Sequence, residues 1–423
     1  MTAEVIVMNK SAIAVAADSA VTRGRTKVHL TANKIFQLSK FNPVGIVIFG
    51  NAYLLNLPWE LIIKTYRGQI HDQSFDTVDG YADDFCNFLK SPKLVTEAAS
   101  DLDRAGIFIG LAQRIEKRLR RQNGKNFKSE FSKHLTQFIS QIRKAPKLDL
   151  EKPLTLRQFR KQFRDDCAVV LETVFKGKKF GARSKLKFEE LCFLFCESDW
   201  TSDTSTGFAI FGFGTKQILP AITTVGIDGA PLNEIRFTSK HTSNLDRADN
   251  KAALYALAQA DATSLFMEGV DANLKTFSTR AFELALKKFL DEVVKKELSN
   301  YTAPPGQTDV TLALLRNSID TIAKGMKREI DKYIRTKSIN RVLDALDGLA
   351  KEDLANLVES LVELTAIKRR ISNEMETVAG PVDVAVVSKN DGFIWIKRKH
   401  YFDPAYNGHF RQNYLRKPLN PLE

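Results

Sequence analysis

Two short apolar runs, AEVIVM at residues 3–8 and AIAVAA at 12–17, are separated only by Asn9, Lys10 and Ser11. Runs this short, joined by a polar turn, read as the paired strands of a hairpin. The format recurs in KIFQLSKFNPVGIVIFGNA: a short strand, an Asn42-Pro43 turn, then an apolar run ending at Gly50. Four strands are thus expected in the first fifty residues. AYLLNLPWELIIKTYRG and VDGYADDFCNFLK follow with helical spacing. Strands return in GFAIFGFG, in QILPAITTVGIDG and in PVDVAVVSKNDGFIWIKR, where Asn390, Asp391 and Gly392 signal a hairpin. Strands, two helices, strands, helices, strands is the order of sheets covered by helices, not of a βαβ parallel sheet.

Two helical stretches interrupt that order. The first, rich in lysine and arginine, fills about 95–200. The second, about 270–350, sets Phe282, Leu286, Phe289, Leu290 and Val293 along one face behind the cap candidates Ser278 and Thr279. NKAALYALAQADATSLFMEG and EDLANLVESLVELTAIKRRISNEMETV read as further helices. The expected division is 1–95 as the first part of a core, 96–200 as a basic helical insertion and 201–270 as core strands and a helix. A second helical insertion at 271–350, a core helix and hairpin at 351–400 and a tail at 401–423 complete it.

With 43% hydrophobic and 27% charged residues, the chain is core-forming and not of the disordered class. The net charge of +13 collects in RIEKRLRRQNGKNFKSEFSK, RQFRKQF, FKGKKFGARSKLKF and the C-terminal IKRKHYFDP and FRQNYLRK. Such runs either form solvated helix faces or attract acidic or phosphate-bearing partners. No nucleic-acid signature accompanies them. Cys86, Cys167, Cys192 and Cys196 give no disulfide framework. Cys192 and Cys196 have no matching histidine pair and read as reduced core thiols. The six histidines are scattered, so no metal and no cofactor is expected. GFGTK at 212–216 lacks phosphate-loop spacing and joins two strands. No apolar run reaches membrane-spanning length and no signal segment follows Met1, so a cytoplasmic protein with no membrane partner is expected.

The second residue is a threonine. A free α-amino group has a pKa near 7.7–8.0 and serves as a general base without a histidine. Exposed by loss of Met1, Thr2 would carry that base beside a hydroxyl nucleophile. Such a pair needs a nearby cation, and the cation a carboxylate to hold it. Asp18 ends the second strand and Lys34 begins the next pair. Taken alone, Asp18 reads as a turn residue and Lys34 as a surface lysine.

Thr2, Asp18 and Lys34 stand 16 and 32 positions apart within TAEVIVMNKSAIAVAADSAVTRG, ANKIFQLS and VGIVIFGNA. In this the chain resembles the proteasome β-type subunits of the N-terminal-nucleophile hydrolases, with their bacterial proteasome-like branch. The match covers about the first 60 residues and resumes weakly at the two later hairpins. The two helical blocks have no counterpart. The resemblance implies a four-layer α/β/β/α sandwich with two large helical insertions, and a threonine-type hydrolase cleaving peptide bonds. It makes Thr2 the nucleophile and Lys34 the group that favours its alkoxide, with Asp18 orienting Lys34. The Gly50 N–H would form the oxyanion hole. Thr22 would hold an extended peptide, and Val21, Ala32, Ile48 and Ala52 would line an apolar specificity pocket.

The family also uses two serines and an aspartate to orient the amine. Here Gln259, Met375 and Val378 fall at those positions; a shifted alignment brings in Ser372, Glu374, Glu376 or Thr377. Two other readings stay open: a non-peptide amidohydrolase of the same fold, and a catalytically silent assembly subunit binding nucleic acid or a protein. The resemblance implies a homo-oligomer with a peptide or protein substrate. The basic insertion is expected to recruit an ATPase, an acidic partner or a nucleic acid, and not to build the site.

Overall fold

The computed structural model describes residues 3–23, 27–29, 32–120, 127–246, 248–294, 296, 307–371, 378–400 and 402–408. Its first strands are β1 (Glu4–Asn9) and β2 (Ile13–Ala17), every residue of which is buried. Asn9 holds their turn: its Oδ1 accepts from Ser11 N at 3.0 Å and Ala12 N at 3.2 Å. Next come β3 (Val21–Arg23) paired with β4 (Lys27–His29), then β5 (Ile35–Gln37), β6 (Val44–Gly50) and the small pair β7 (Tyr53–Leu54) and β8 (Leu57–Pro58). Helices α1 (Trp59–Ile70) and α2 (Val78–Leu89) lead into a helical block of α3 (Glu97–Arg120), α4 (Phe127–Ile142), α5 (Leu156–Val174) and α6 (Ala182–Glu197).

The chain returns through β9 (Thr206–Gly212), β10 (Ala221–Ile227), β11 (Phe237–Asn244) and β12 (Ala252–Ala256). Helices α7 (Asp261–Glu268), α8 (Ala272–Phe289), α9 (Gln307–Ile334), α10 (Asn340–Asp347) and α11 (Lys351–Ile371) follow. Strands β13 (Asp383–Ser388) and β14 (Gly392–Lys397) close the fold.

Two antiparallel five-stranded sheets result, ordered β12-β1-β2-β13-β14 and β11-β10-β9-β6-β5. Alternation along the strands splits their apolar residues between two cores. Ile6, Met8, Ile13 and Val15 face Val47, Ala209, Phe211 and Ile222 between the sheets. Val5, Val7, Ala14 and Ala16 turn the other way, onto Leu354, Val358 and Leu361 of α11. On the far side, Ile46, Phe208 and Ile210 meet Trp59 of α1 and Tyr81 and Phe85 of α2. The layers are therefore helix, sheet, sheet, helix. Strands buried on both faces carry apolar residues at every position, which is why the sequence shows continuous runs and not alternation.

Helices α3 to α6 have a phenylalanine-rich core of their own, with Phe108, Phe131, Phe159, Phe188 and Phe195 buried. Cys167, Cys192 and Cys196 lie buried there, unbridged.

Several expectations fail at the element level. Six strands, not four, fall in the first fifty residues, and Tyr53–Pro58, at the start of the first expected helix, forms the β7–β8 pair. The stretch at 250–269 is not one helix: Ala252–Ala256 is an edge strand paired with β1, Val5 opposite Ala256, and α7 starts only at Asp261. Sheet pairing overrides the alanine-rich helix propensity. Another error concerns the start of α8. Its cap is Asp271, whose side chain accepts from Asn273 N and Leu274 N. Ser278 and Thr279 sit inside the helix, bonded back to Leu274 O and Lys275 O. Of the face expected there, Leu290 is buried, but Phe289 and Val293 are exposed.

Candidate active site

Asp18 follows β2 directly and is 1% exposed. Each of its oxygens accepts twice. Oδ1 takes Ala3 N at 2.9 Å and Lys34 Nζ at 2.5 Å; Oδ2 takes Ala20 N at 3.0 Å and Ala379 N at 3.2 Å. Four donors fill the capacity of an ionised carboxylate. They tie together the start of β1, the turn after β2, the approach to β13 and the lysine.

Lys34, 2% exposed, enters from the opposite sheet. Its carbonyl accepts from Ile48 N at 3.0 Å, extending the β5–β6 ladder by one step. The ammonium thus lies where the two sheets meet, paired with Asp18 and 3.4 Å from Glu4 Oε1.

Gly50 ends β6 two residues beyond Ile48. Its φ is +78°, and a Cβ there would come within 2.6 Å of Ser205 O, so only glycine fits without strain. The neighbouring carbonyls, Phe49 O and Asn51 O, lie 3.1 and 2.7 Å from Thr206 Oγ1, which also accepts from Trp59 Nε1 at 2.8 Å. Thr206 therefore fixes the backbone on both sides of Gly50.

Ala32 is half-buried, and its N–H donates to Ser19 O at 3.1 Å. Ala52 is half-buried, and its carbonyl accepts from Trp59 N. Ile48 is 4% exposed and packs into the core under α1 and α2. Val21 and Thr22 belong to β3 opposite His29 and Val28, but their side chains lie outside the described residues. So does Thr2, as do 372–377 with Ser372, Glu374, Met375, Glu376 and Thr377. Val378 is buried, and Gln259 accepts from the Arg369 guanidinium.

Sequence reasoning missed Glu4, Asp383, Lys399 and Thr206. Asp383 is 2% exposed, opposite Ala17 in the sheet. It accepts from Lys399 N at 2.8 Å and pairs with the Lys399 ammonium. Burial holds Lys399 below the ordinary lysine pKa, and the Lys34 charge adds to that, while Asp383 and Asp18 oppose it. One sequence signal was available: a glutamate inside AEVIVM, where a strand buried on both faces accepts a charge only if it is paired.

No family model matches the sequence, and no curated protein sequence matches it. Among solved structures the chain is similar to an Anbu (Gly-1) mutant from Hyphomicrobium sp. strain MC1, at 10% identity, with 100% of each chain covered and a TM-score of 0.27. It is also similar to the Anbu complex of Pseudomonas aeruginosa, described as a helical assembly. There the identity is 10%, with 99% of this chain and 100% of that chain covered and a TM-score of 0.25. Likeness at that level assigns no residue a role, and the site rests on its own geometry.

Among the described residues, no group of three or more histidine, cysteine, aspartate or glutamate side chains is arranged to hold a metal. None of their helices is long and apolar enough to cross a membrane. A surface groove at the start of α5, lined by Arg157, Arg160, Lys161 and Arg164, lies in the helical block and shares no residue with the centre.

Proposed function

We propose that the chain is a proteasome-like threonine hydrolase that cleaves peptide bonds with Thr2 after removal of Met1. The observation that carries this reading is a short buried relay. Ala3 N, the atom to which residue 2 is bonded, lies 2.9 Å from the same Asp18 oxygen that lies 2.5 Å from Lys34 Nζ. The nitrogen that anchors Thr2 and the lysine ammonium thus meet at one carboxylate.

The chemistry follows from charge. The neutral α-amine takes the Thr2 hydroxyl proton as Oγ attacks the peptide carbonyl, and the Lys34 ammonium favours the developing alkoxide. The carbonyl oxygen becomes an oxyanion, for which the Gly50 N–H is the donor; one such donor is worth about 2.7–4 kcal/mol. The α-ammonium then returns its proton to the leaving amine, leaving an ester on Thr2. Water, deprotonated by the same amine, releases the acid and restores the hydroxyl. Strand β3, through Thr22, would pair with an extended substrate, and Val21, Ala32 and Ala52 would form the apolar pocket. Assembly into a homo-oligomer and a cytoplasmic location belong to the same proposal.

The test is hydrolysis of a peptide library, with new termini read by mass spectrometry. Cleavage by the native chain and none by Thr2→Ala is the expected result. Equal cleavage by both would overturn the proposal.

A further inference from the structure

Glu4 is the only charged residue in β1. Alternation gives it the face of Ile6 and Met8, toward the space between the sheets. Its side chain is 0% exposed, and its carboxylate lies 3.4 Å from Lys34 Nζ. Lys34 is therefore shared by two buried carboxylates, one on β1 and one just beyond the end of the adjacent β2. Buried Asp383 of β13 and half-buried Lys399, beyond β14, form a second pair, whose lysine feels the Lys34 charge. Among the described residues, Lys34 has Glu4 of β1 and Asp18, just after β2, within ion-pair distance, and Lys399, paired with Asp383, feels the charges of both Lys34 and Asp18. An ionised carboxylate is tolerated inside a sandwich only beside a cation.

We propose that Glu4 is an ionised third member of the Asp18–Lys34 centre, a positioning residue whose charge raises the proton affinity of the base that activates Thr2. The ion pair stands on geometry; its consequence rests on the proposed Thr2 chemistry. In that chemistry the α-amine becomes an ammonium as it takes the hydroxyl proton. Lys34 repels that new charge. Glu4, on the same lysine, offsets the repulsion, so proton transfer from Oγ to the amine meets a smaller barrier.

The test compares the full-length chain with Glu4→Gln, which keeps the shape and removes the charge. Two readouts are taken across pH: thermal melting, and the rate at which a β-lactone acylates Thr2. At pH 8 the variant melts at least about 4 °C lower, and the gap closes toward pH 4 as the native carboxylate takes up a proton. The pH midpoint of labelling falls, because Glu4 no longer offsets the Lys34 charge.

A melting gap that is absent, or the same at every pH, shows a neutral Glu4 and overturns the proposal. A pH-dependent gap with an unchanged labelling midpoint reduces Glu4 to a structural ion pair and also overturns it. If the native chain is never acylated at Thr2, the hydrolase reading fails and takes the positioning role with it; the melting data then still decide the ion pair. Should Glu4→Gln not fold, the carboxyl 13C resonance of Glu4 in the native chain, assigned by its loss in Glu4→Asp, decides the charge. An ionised signal at pH 6–8 is expected, and a protonated one overturns the proposal.

Discussion

Asp18 holds four donors on two oxygens, so its replacement is felt by two strands, a turn and a lysine together. Asp18→Ala leaves the Lys34 ammonium without its nearest carboxylate. It should cost about 3–5 kcal/mol of stability in urea denaturation; a loss under about 1 kcal/mol would contradict the geometry. Gly50→Ala should fail differently. Its Cβ would meet Ser205 O at 2.6 Å in a left-handed backbone, so the peptide around Gly50 must shift. Stability should drop by about 1–3 kcal/mol, and turnover should fall about a hundredfold or more as the proposed oxyanion donor moves. Unchanged kcat in a folded Gly50→Ala protein would remove Gly50 from the mechanism. Asp18 and Lys34 were singled out by the resemblance and not by their own residue patterns, which read as a turn residue and a surface lysine; the fold buries them and brings them together. Asp383 and Lys399 were not singled out at all. They reach the centre only through the pairing of β13 with β2, which joins residues more than three hundred positions apart.

At the scale of elements, the hairpins were readable and the edge of the first sheet was not. The β9–β10 and β13–β14 hairpins announced themselves by apolar runs and turn residues. Strand β12 has only AALYA, whose alanines suit a helix equally well, and its state is decided by β1 alongside it. The segment leading from α6 to β9 carries a further lesson. Ser205 O accepts from Asn51 N at 3.2 Å, and Thr206 bonds to the carbonyls flanking Gly50. The exit of the helical block therefore packs against the Gly50 turn. Thr206→Val should leave Trp59 Nε1 and two carbonyls without this hydroxyl and cost about 1–3 kcal/mol. It should also lower kcat more than it raises KM, because the hydroxyl acts on the backbone that aims the Gly50 N–H. A pure KM effect would show that this turn serves substrate binding alone.

Across the whole molecule, buried arginines join the helical block to the sandwich: Arg104 of α3 donates to Pro231 O, and Arg236 reaches the other way. Arg236, fully buried before β11, donates to Phe195 O, Cys196 O, Ser198 O and Trp200 O, and pairs with Asp228 at 2.8 Å. Its guanidinium thus gathers the carbonyls that end α6, a role for which arginine's planar fork is suited and lysine's point charge is not. Arg236→Lys should destabilise the fold and speed hydrogen exchange at the C-terminal end of α6. Protection there equal to the native chain would show that α6 is held by its phenylalanine core alone. The second helical region is different. Among the described residues, α8, the turn after it and α9 share a small core around Leu290 and Ile319, and Leu274, Phe277, Leu284 and Leu314 are exposed. Its helices were legible from periodicity, but not which of its apolar faces would be covered, because that depends on what lies opposite. The central claim is that Thr2 is a free and reactive N-terminal residue, and intact-mass analysis with peptide mapping tests it directly. The expected chain lacks Met1 and gains one β-lactone adduct, mapped to Thr2 and absent from Lys34→Ala. A chain that retains Met1, or an adduct at any other residue, would contradict it.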